Sequence, residues 1–230
     1  MAPSSITLNP SFVTARMRFK KNRLILTAAG ALWLSIIGAG VGTLWTYEST
    51  PEVAAAATPD RWPAASRIKP ADGRATLVMS AHPHCPCTRA SIGELARLMT
   101  QAQGRVTAYV LFVKPQGFSD GWEQTDLWAS AAAIPGVTPV RDDEGVEAGR
   151  FHAAASGQTV LYDAAGSLLF SGGITGARGH AGDNAGRAAI VSLLTEGEAE
   201  RRETPVFGCP LFARNECPAV KEVGREKDNH

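Results

Sequence analysis

The 230-residue sequence predicts an α/β domain, a central mixed sheet flanked by helices, preceded by one transmembrane helix. Three observations carry that reading. An uncharged apolar run follows a basic N-terminus. Strand-like and helix-like patterns alternate from about residue 71 onward. Two cysteines, Cys85 and Cys87, stand where the first strand pattern gives way to the first helix pattern.

Residues 1–23 contain Arg16, Arg18, Lys20, Lys21 and Arg23 and no acidic side chain. Residues 24–47 then carry no charge, and about 20 apolar residues suffice to span a bilayer as a helix. A soluble core helix should show a polar face, and this run shows none. The apolar core of a secretory signal is usually shorter, although Ala54–Ala57 offers a cleavage site. An acid-free, arginine-containing start also fits a mitochondrial presequence. The preferred expectation is an uncleaved single-pass anchor in the inner (cytoplasmic) membrane. Its basic segment 1–23 would stay in the cytoplasm, and the domain after it would lie in the periplasm. Gly38 and Gly42 have the small-xxx-small spacing of helix–helix contacts, so a homodimer through the anchor is an expectation as well.

Residues 48–70 are rich in Ala and Pro and read as a linker. The α/β domain is expected over residues 71–200, followed by a tail, 201–230, that contains Cys209 and Cys217. Ala75–Ser80 reads as a strand. Arg89–Gln101 reads as a helix, with Ile92, Leu95, Leu98 and Met99 on one face and either Thr88 or a Ser91/Glu94 box at its start. The apolar run Val106–Val113 suits a central strand. Next come a loop and helix containing Trp122 and Trp128, then a short strand, Val137–Val140, that Pro139 assigns to an edge. Glu144–Ala155 reads as helical, Gln158–Asp163 and Ser167–Ser171 as a hairpin, and Asn184–Leu194 as the last helix. The near-neutral balance, +1, and the lack of a basic stripe beyond the N-terminus exclude a nucleic-acid partner.

His82-Pro83-His84-Cys85-Pro86-Cys87 concentrates the chemistry. A helix N-terminus favours a thiolate, and a protonated His82 or His84 would favour it further. A disulfide between cysteines one residue apart closes a small, strained ring and should be oxidising. The first expectation is therefore a redox pair that needs no cofactor. Two soft thiolates beside two imidazoles also suit Cu(I) or Zn(II), so copper binding is the alternative. Arg89 and Glu94 read as solvated helix residues, although Arg89 lies near enough to favour a thiolate. The cluster Gly172, Gly173, Gly176, Gly179 and Gly182 reads as a flexible loop. Cys209 and Cys217 make a structural disulfide the simplest use of the tail, with Cys209 as a resolving thiol for Cys85 the other option. Residues 219–230 are charged and expected to be disordered.

The element order, with cysteines at the first strand-to-helix junction, resembles the thioredoxin-like fold. Its nearest likeness is to membrane-anchored thiol-disulfide oxidoreductases of the TlpA type, over roughly residues 71–195. Asp142-Asp143-Glu144-Gly145-Val146-Glu147-Ala148 is similar to that family's D-x-x-G-x-x-A segment. Val160-Leu161-Tyr162-Asp163-Ala164-Ala165-Gly166 is similar to its hairpin. The His-Pro-His-Cys-Pro-Cys run, Gly172-Gly173-Ile174-Thr175 and Phe207-Gly208-Cys209-Pro210 resemble a smaller group, RedB. The resemblance implies a thiol-disulfide oxidoreductase with Cys85 attacking and Cys87 resolving. Its partners would be periplasmic protein thiols or disulfides, including cytochrome or oxidase assembly factors. Some thioredoxin-fold proteins deliver copper with two nearby cysteines and a distant histidine, which makes His180 the candidate third ligand. Two departures stand out. Only Pro86 separates the cysteines where the family has two residues, and Gly157 or Gln158 stands where the family has a cis-proline.

Overall fold

The computed structural model describes residues 10–52 and 57–212, with side chains from residue 23. The chain divides into two units, 1–47 and 48–230. The first is built on α1 (Pro10–Ser49), which runs further toward the N-terminus than the uncharged run itself. Its stretch Arg23–Ser49 is 27 residues long with a mean hydropathy of 2.0, and none of its most apolar window is buried. At 1.5 Å per residue it is about 40 Å long, more than a hydrocarbon core of about 30 Å requires. Leu24, Leu26, Trp33, Leu34 and Leu44 are all exposed, so this is not the core helix of a soluble domain.

The second unit carries a five-stranded mixed sheet in the order β3-β2-β1-β4-β5. Its strands are β1 (Ala75–Ala81), β2 (Val106–Lys114), β3 (Val137–Asp143), β4 (Gln158–Tyr162) and β5 (Leu168–Gly173). β1, β2 and β3 are parallel, whereas β4 runs antiparallel to β1 and to β5. Between them come α2 (Pro86–Gln101), α3 (Asp126–Ala132), α4 (Val146–Arg150) and α5 (Ala185–Thr195). This is the order expected from the hydrophobic patterns.

Side-chain alternation in the strands divides the core. Leu77 and Met79 of β1 and Val110 and Phe112 of β2 face the layer made by Ile92, Leu95 and Leu98 of α2 and Ile190 and Leu193 of α5. Val78, Leu111, Val160 and Tyr162 face the other way, against Ile68 and Phe151. Pro139 sits in β3, an edge strand, where its missing N–H leaves no central ladder bond unmade.

Three segments differ from expectation. α4 spans only Val146–Arg150, because His152 takes a positive φ of 54° and ends the helix. The proposed linker is partly built into the domain. Trp62 packs edge-on against Phe151 and Tyr162 at 5.1 and 5.3 Å, and Ile68 is buried. The Tyr162 hydroxyl donates to the Pro59 carbonyl, and Ser66 and the Arg67 amide donate to Glu147. Residues 203–211 of the tail also belong to the domain. Thr204 N–H donates to the Ser171 carbonyl, and Leu211 is buried beside Val113, Ala148 and Ala153. Cys217 and residues 219–230 lie outside the described residues.

Candidate functional site

β1 delivers the chain to His82, and α2 begins at Pro86, a residue whose fixed φ suits the first helical position. A residue preceding proline is pushed out of the helical region. Cys85 accordingly caps the helix in an extended conformation, φ −89° and ψ 122°. Its N–H donates to the His82 carbonyl at 3.2 Å, and its own carbonyl accepts from Thr88 N–H at 3.0 Å. Ser156 ties the loop from across the site. Its hydroxyl accepts from His82 N–H at 2.9 Å and meets the Thr88 hydroxyl at 2.6 Å.

The sulfurs of Cys85, Cys87 and Cys209 lie within 4.8 Å of one another. Cys209, 124 residues away in sequence, is the nearest to Cys85, at 2.9 Å between sulfurs. Among the described residues no histidine joins this cluster. His84 is exposed and its ring lies tilted at 49° against Trp122 with centroids 4.5 Å apart, its Nε2 lying 3.2 Å from the Trp122 carbonyl. His82 packs edge-on against the same indole at 5.7 Å, and its Nδ1 accepts from His84 N–H. Phe118 closes the group on the outside, 4.5 Å from Trp122. His180 is exposed on the glycine-rich loop.

Electrostatics separate the three thiols. Burial pushes Cys85 up, but the Cys209 thiol and the N–H groups of Cys209, Thr88 and Cys87 outweigh it, so the group lies below the ordinary thiol range. Cys87 is raised by its burial and by the charge and hydrogen bond of Cys85. Cys209 is pushed up to about 12 by burial, then by the hydrogen bond and charge of Cys85 and by the charge of Cys87. In the singly ionised state the charge therefore rests on Cys85, and the other two sulfurs keep their protons. The cation that favours thiolates at Cys87 and Cys209 is Arg178. It is mostly buried and is held by the Gly208 carbonyl and by Glu52 at 3.3 Å. Arg89 is a solvated helix residue, as read from the sequence, and pairs with Asp126 at 2.5 Å rather than with a thiol. Burial, followed by the like charge of His84, holds His82 below the usual imidazole value. The groups that lower Cys85 are the Cys209 thiol and backbone N–H groups, while both imidazoles pack on Trp122.

Among the described residues there is no cis peptide bond. Gly157, at the place where the resemblance implies a cis-proline, immediately precedes β4 with φ +88° and its N–H donating to the Ser80 carbonyl at 2.7 Å. The positive φ favours glycine there, and an added Cβ, 2.7 Å from the Ser91 hydroxyl, would have to displace that side chain.

No family model matches the chain, and no curated protein matches it. Solved structures do. A hypothetical protein from Sinorhizobium meliloti 1021 superposes with a TM-score of 0.55 at 20% identity, covering 68% of this chain and 95% of that one. An uncharacterized conserved protein from Geobacillus kaustophilus gives 0.51 at 18% identity, covering 64% and 79%. A secreted Mycobacterium tuberculosis disulfide oxidoreductase, described as homologous to E. coli DsbE, gives 0.35 at 20% identity, covering 42% and 67%. The chain has a thioredoxin-like fold, with a mixed sheet, flanking helices and cysteines where β1 meets α2.

Proposed function

We propose that this protein is a membrane-anchored thiol-disulfide oxidoreductase in which Cys85 is the attacking thiolate. The observation that carries the reading is the state of Cys85. It caps α2, its thiol lies below the ordinary range, and two further thiols stand within reach. Cys87 or Cys209 supplies the second sulfur of the couple. The apolar helix over Arg23–Ser49 supports the anchor, and the basic residues before it support a periplasmic domain. The His-Pro-His-Cys-Pro-Cys, Gly-Gly-Ile-Thr and Phe-Gly-Cys-Pro runs support membership of the RedB group. Periplasmic protein thiols or disulfides are the partners this reading assigns.

The test is a titration of the full chain, in detergent, against a series of glutathione redox buffers with alkylation of free thiols as the readout. A disulfide that includes Cys85 should form across a single transition. If Cys85 stays fully alkylatable throughout the series, the reading fails.

One observation favours a second reading, copper binding. Three thiol sulfurs within 4.8 Å form a soft donor set of the kind that holds Cu(I). The ligands would be Cys85, Cys87 and Cys209, without His82, His84 or His180. Copper content of anaerobically purified wild type and Cys85→Ser protein decides it, since bound copper should fall to background in the variant.

A further inference from the structure

Residues 202–211 form a strap that passes the cysteines at Cys209. Its first part runs along β5, where Ser171 N–H donates to the Arg202 carbonyl at 3.0 Å and the Thr204 hydroxyl donates to the Gly173 carbonyl at 2.8 Å. Its second part pairs antiparallel with Ala154–Ser156. Ser156 N–H donates to the Cys209 carbonyl at 2.8 Å, and Leu211 N–H donates to the Ala154 carbonyl at 2.9 Å. Arg178 holds the Gly208 carbonyl from the side. The fit is close, since a Cβ on Gly208 would lie 1.8 Å from the Ser156 carbonyl oxygen. The buried Leu211 and the neighbouring Phe212 fasten the end of the strap.

The alternative couple, Cys85–Cys87, is poorly placed to close. Cys87 lies in the first turn of α2, two residues from the extended N-cap Cys85, so although their sulfurs lie within 4.8 Å, a disulfide between them would close a small, strained ring. Joining those sulfurs would require the first turn of α2, including the Thr88 bond to the Cys85 carbonyl, to rearrange. Joining Cys85 to Cys209 leaves the helix alone, because the two sulfurs come from different segments and are already 2.9 Å apart.

We infer that Cys209 is the resolving thiol and that the strap is a displaceable cover which carries it to Cys85. The inference rests on the oxidoreductase reading. With the strap seated, Cys85 is only 3% exposed, so a partner sulfur reaches it when residues 208–211 lift from Ala154–Ser156. The Cys85 thiolate then attacks one sulfur of a partner disulfide. The Cys85–partner bond forms and the second partner sulfur leaves as a thiolate. When the strap returns, Cys209 gives up its proton and attacks the Cys85 sulfur. The Cys85–Cys209 bond forms, the mixed bond breaks, and the remaining partner sulfur leaves as a thiolate. Two electrons pass from Cys85 and Cys209 to the partner disulfide. The proton that Cys209 releases goes to one departing partner sulfur, and the other takes from solvent a proton matching the one Cys85 had already lost on ionising. Once Cys85 is in a disulfide, its charge and hydrogen bond no longer hold Cys209 protonated, while Arg178 still favours the thiolate.

Oxidised glutathione is a suitable probe disulfide, used with the full chain in detergent and quenched with acid for peptide mapping. Cys87→Ala should still close a disulfide that peptide mapping assigns to Cys85 and Cys209. Cys209→Ala should hold a Cys85–glutathione adduct that lives about tenfold longer or more, because it lacks an intramolecular thiol already at the sulfur. Gly208→Ala, which keeps every cysteine but forces the strap off Ser156, should lengthen the adduct in the same direction and speed alkylation of reduced Cys85. If Cys209→Ala clears its adduct as fast as wild type through Cys85–Cys87, or if Cys209 maps to Cys217 in the oxidised protein, the inference is overturned while the oxidoreductase reading stands. If wild-type Cys85 forms neither adduct nor disulfide, both fall together.

Discussion

The His84 ring lies 4.5 Å from the Trp122 ring, with its Nε2 3.2 Å from the Trp122 carbonyl. The imidazole next to Cys85 in sequence is thus engaged with the β2–α3 loop, and what stabilises the Cys85 thiolate is a set of N–H groups and the Cys209 thiol.

Removing either imidazole should therefore leave the titration of Cys85 unchanged, read from thiolate ultraviolet absorbance. Arg178→Gln should raise the midpoints of Cys87 and Cys209, since it withdraws the cation that lowers them. His82 should respond to its own surroundings, followed by NMR of the imidazole protons. Trp122→Ala, which relieves burial, should raise its midpoint more than His84→Ala, which relieves only the like charge. A clear upward shift of Cys85 in His82→Ala or His84→Ala would refute this assignment.

Glu94 is fully buried and holds α2 to the segment that starts α5. It faces Arg97 at 2.7 Å and Arg187 at 2.8 Å, and it accepts from Gly182 N–H and the Asn184 side chain. Removing one partner of a buried pair leaves uncompensated charge, at a cost of roughly 3–5 kcal/mol. Glu94→Ala should lose about that much in urea unfolding. A loss of about 1 kcal/mol or less would mean that the pair behaves as a surface one.

Asp142 supplies a pH dependence that is independent of the thiols. Its carboxylate accepts from the N–H groups of Glu147 and Ala148 at the start of α4, yet burial dominates and raises it from 3.8 to about 6. The folded state therefore binds the proton more tightly than the unfolded state. The associated stability is fully present below about pH 3.8 and is lost as pH rises through about 6. The gap corresponds to roughly 3 kcal/mol. Unfolding free energies measured from pH 3.5 to 7 should show this fall in wild type, and Asp142→Asn should flatten it. An equal slope in the variant would assign the effect to another group.

Local patterns in the sequence carried the fold. Apolar alternation and helical spacing mark β1, α2, β2, the β4–β5 hairpin and α5, since each is a regular element with a buried face. They also place the cysteines just ahead of a helix, but put its cap at Thr88 or Ser91. The helix instead begins at Pro86 with Cys85 as its cap, because proline suits the first helical position. What they miss is made by distant segments. The strap has no periodicity, so nothing near Cys209 announces that it pairs with Ala154–Ser156. Arg178 lies in a glycine-rich run that reads as flexible, and its position beside the sulfurs depends on the Gly208 carbonyl and Glu52. Glu94 looks like any helix carboxylate until Arg187 and Asn184 arrive from α5. The histidines mislead because closeness in sequence is not closeness of side chains.

The strap also governs the sheet's outer rim. β5 is an edge strand, and an uncovered edge offers unpaired backbone groups to any other extended chain. Ser171 and Gly173 have theirs occupied by residues 202–204. At the opposite rim, Pro139 withholds one donor from β3. Lifting the whole strap would therefore do more than open the route to Cys85. It would offer a strand edge on which a second molecule could grow, so the opening stroke is best confined to residues 208–211, with residues 202–204 staying down as protection against self-association.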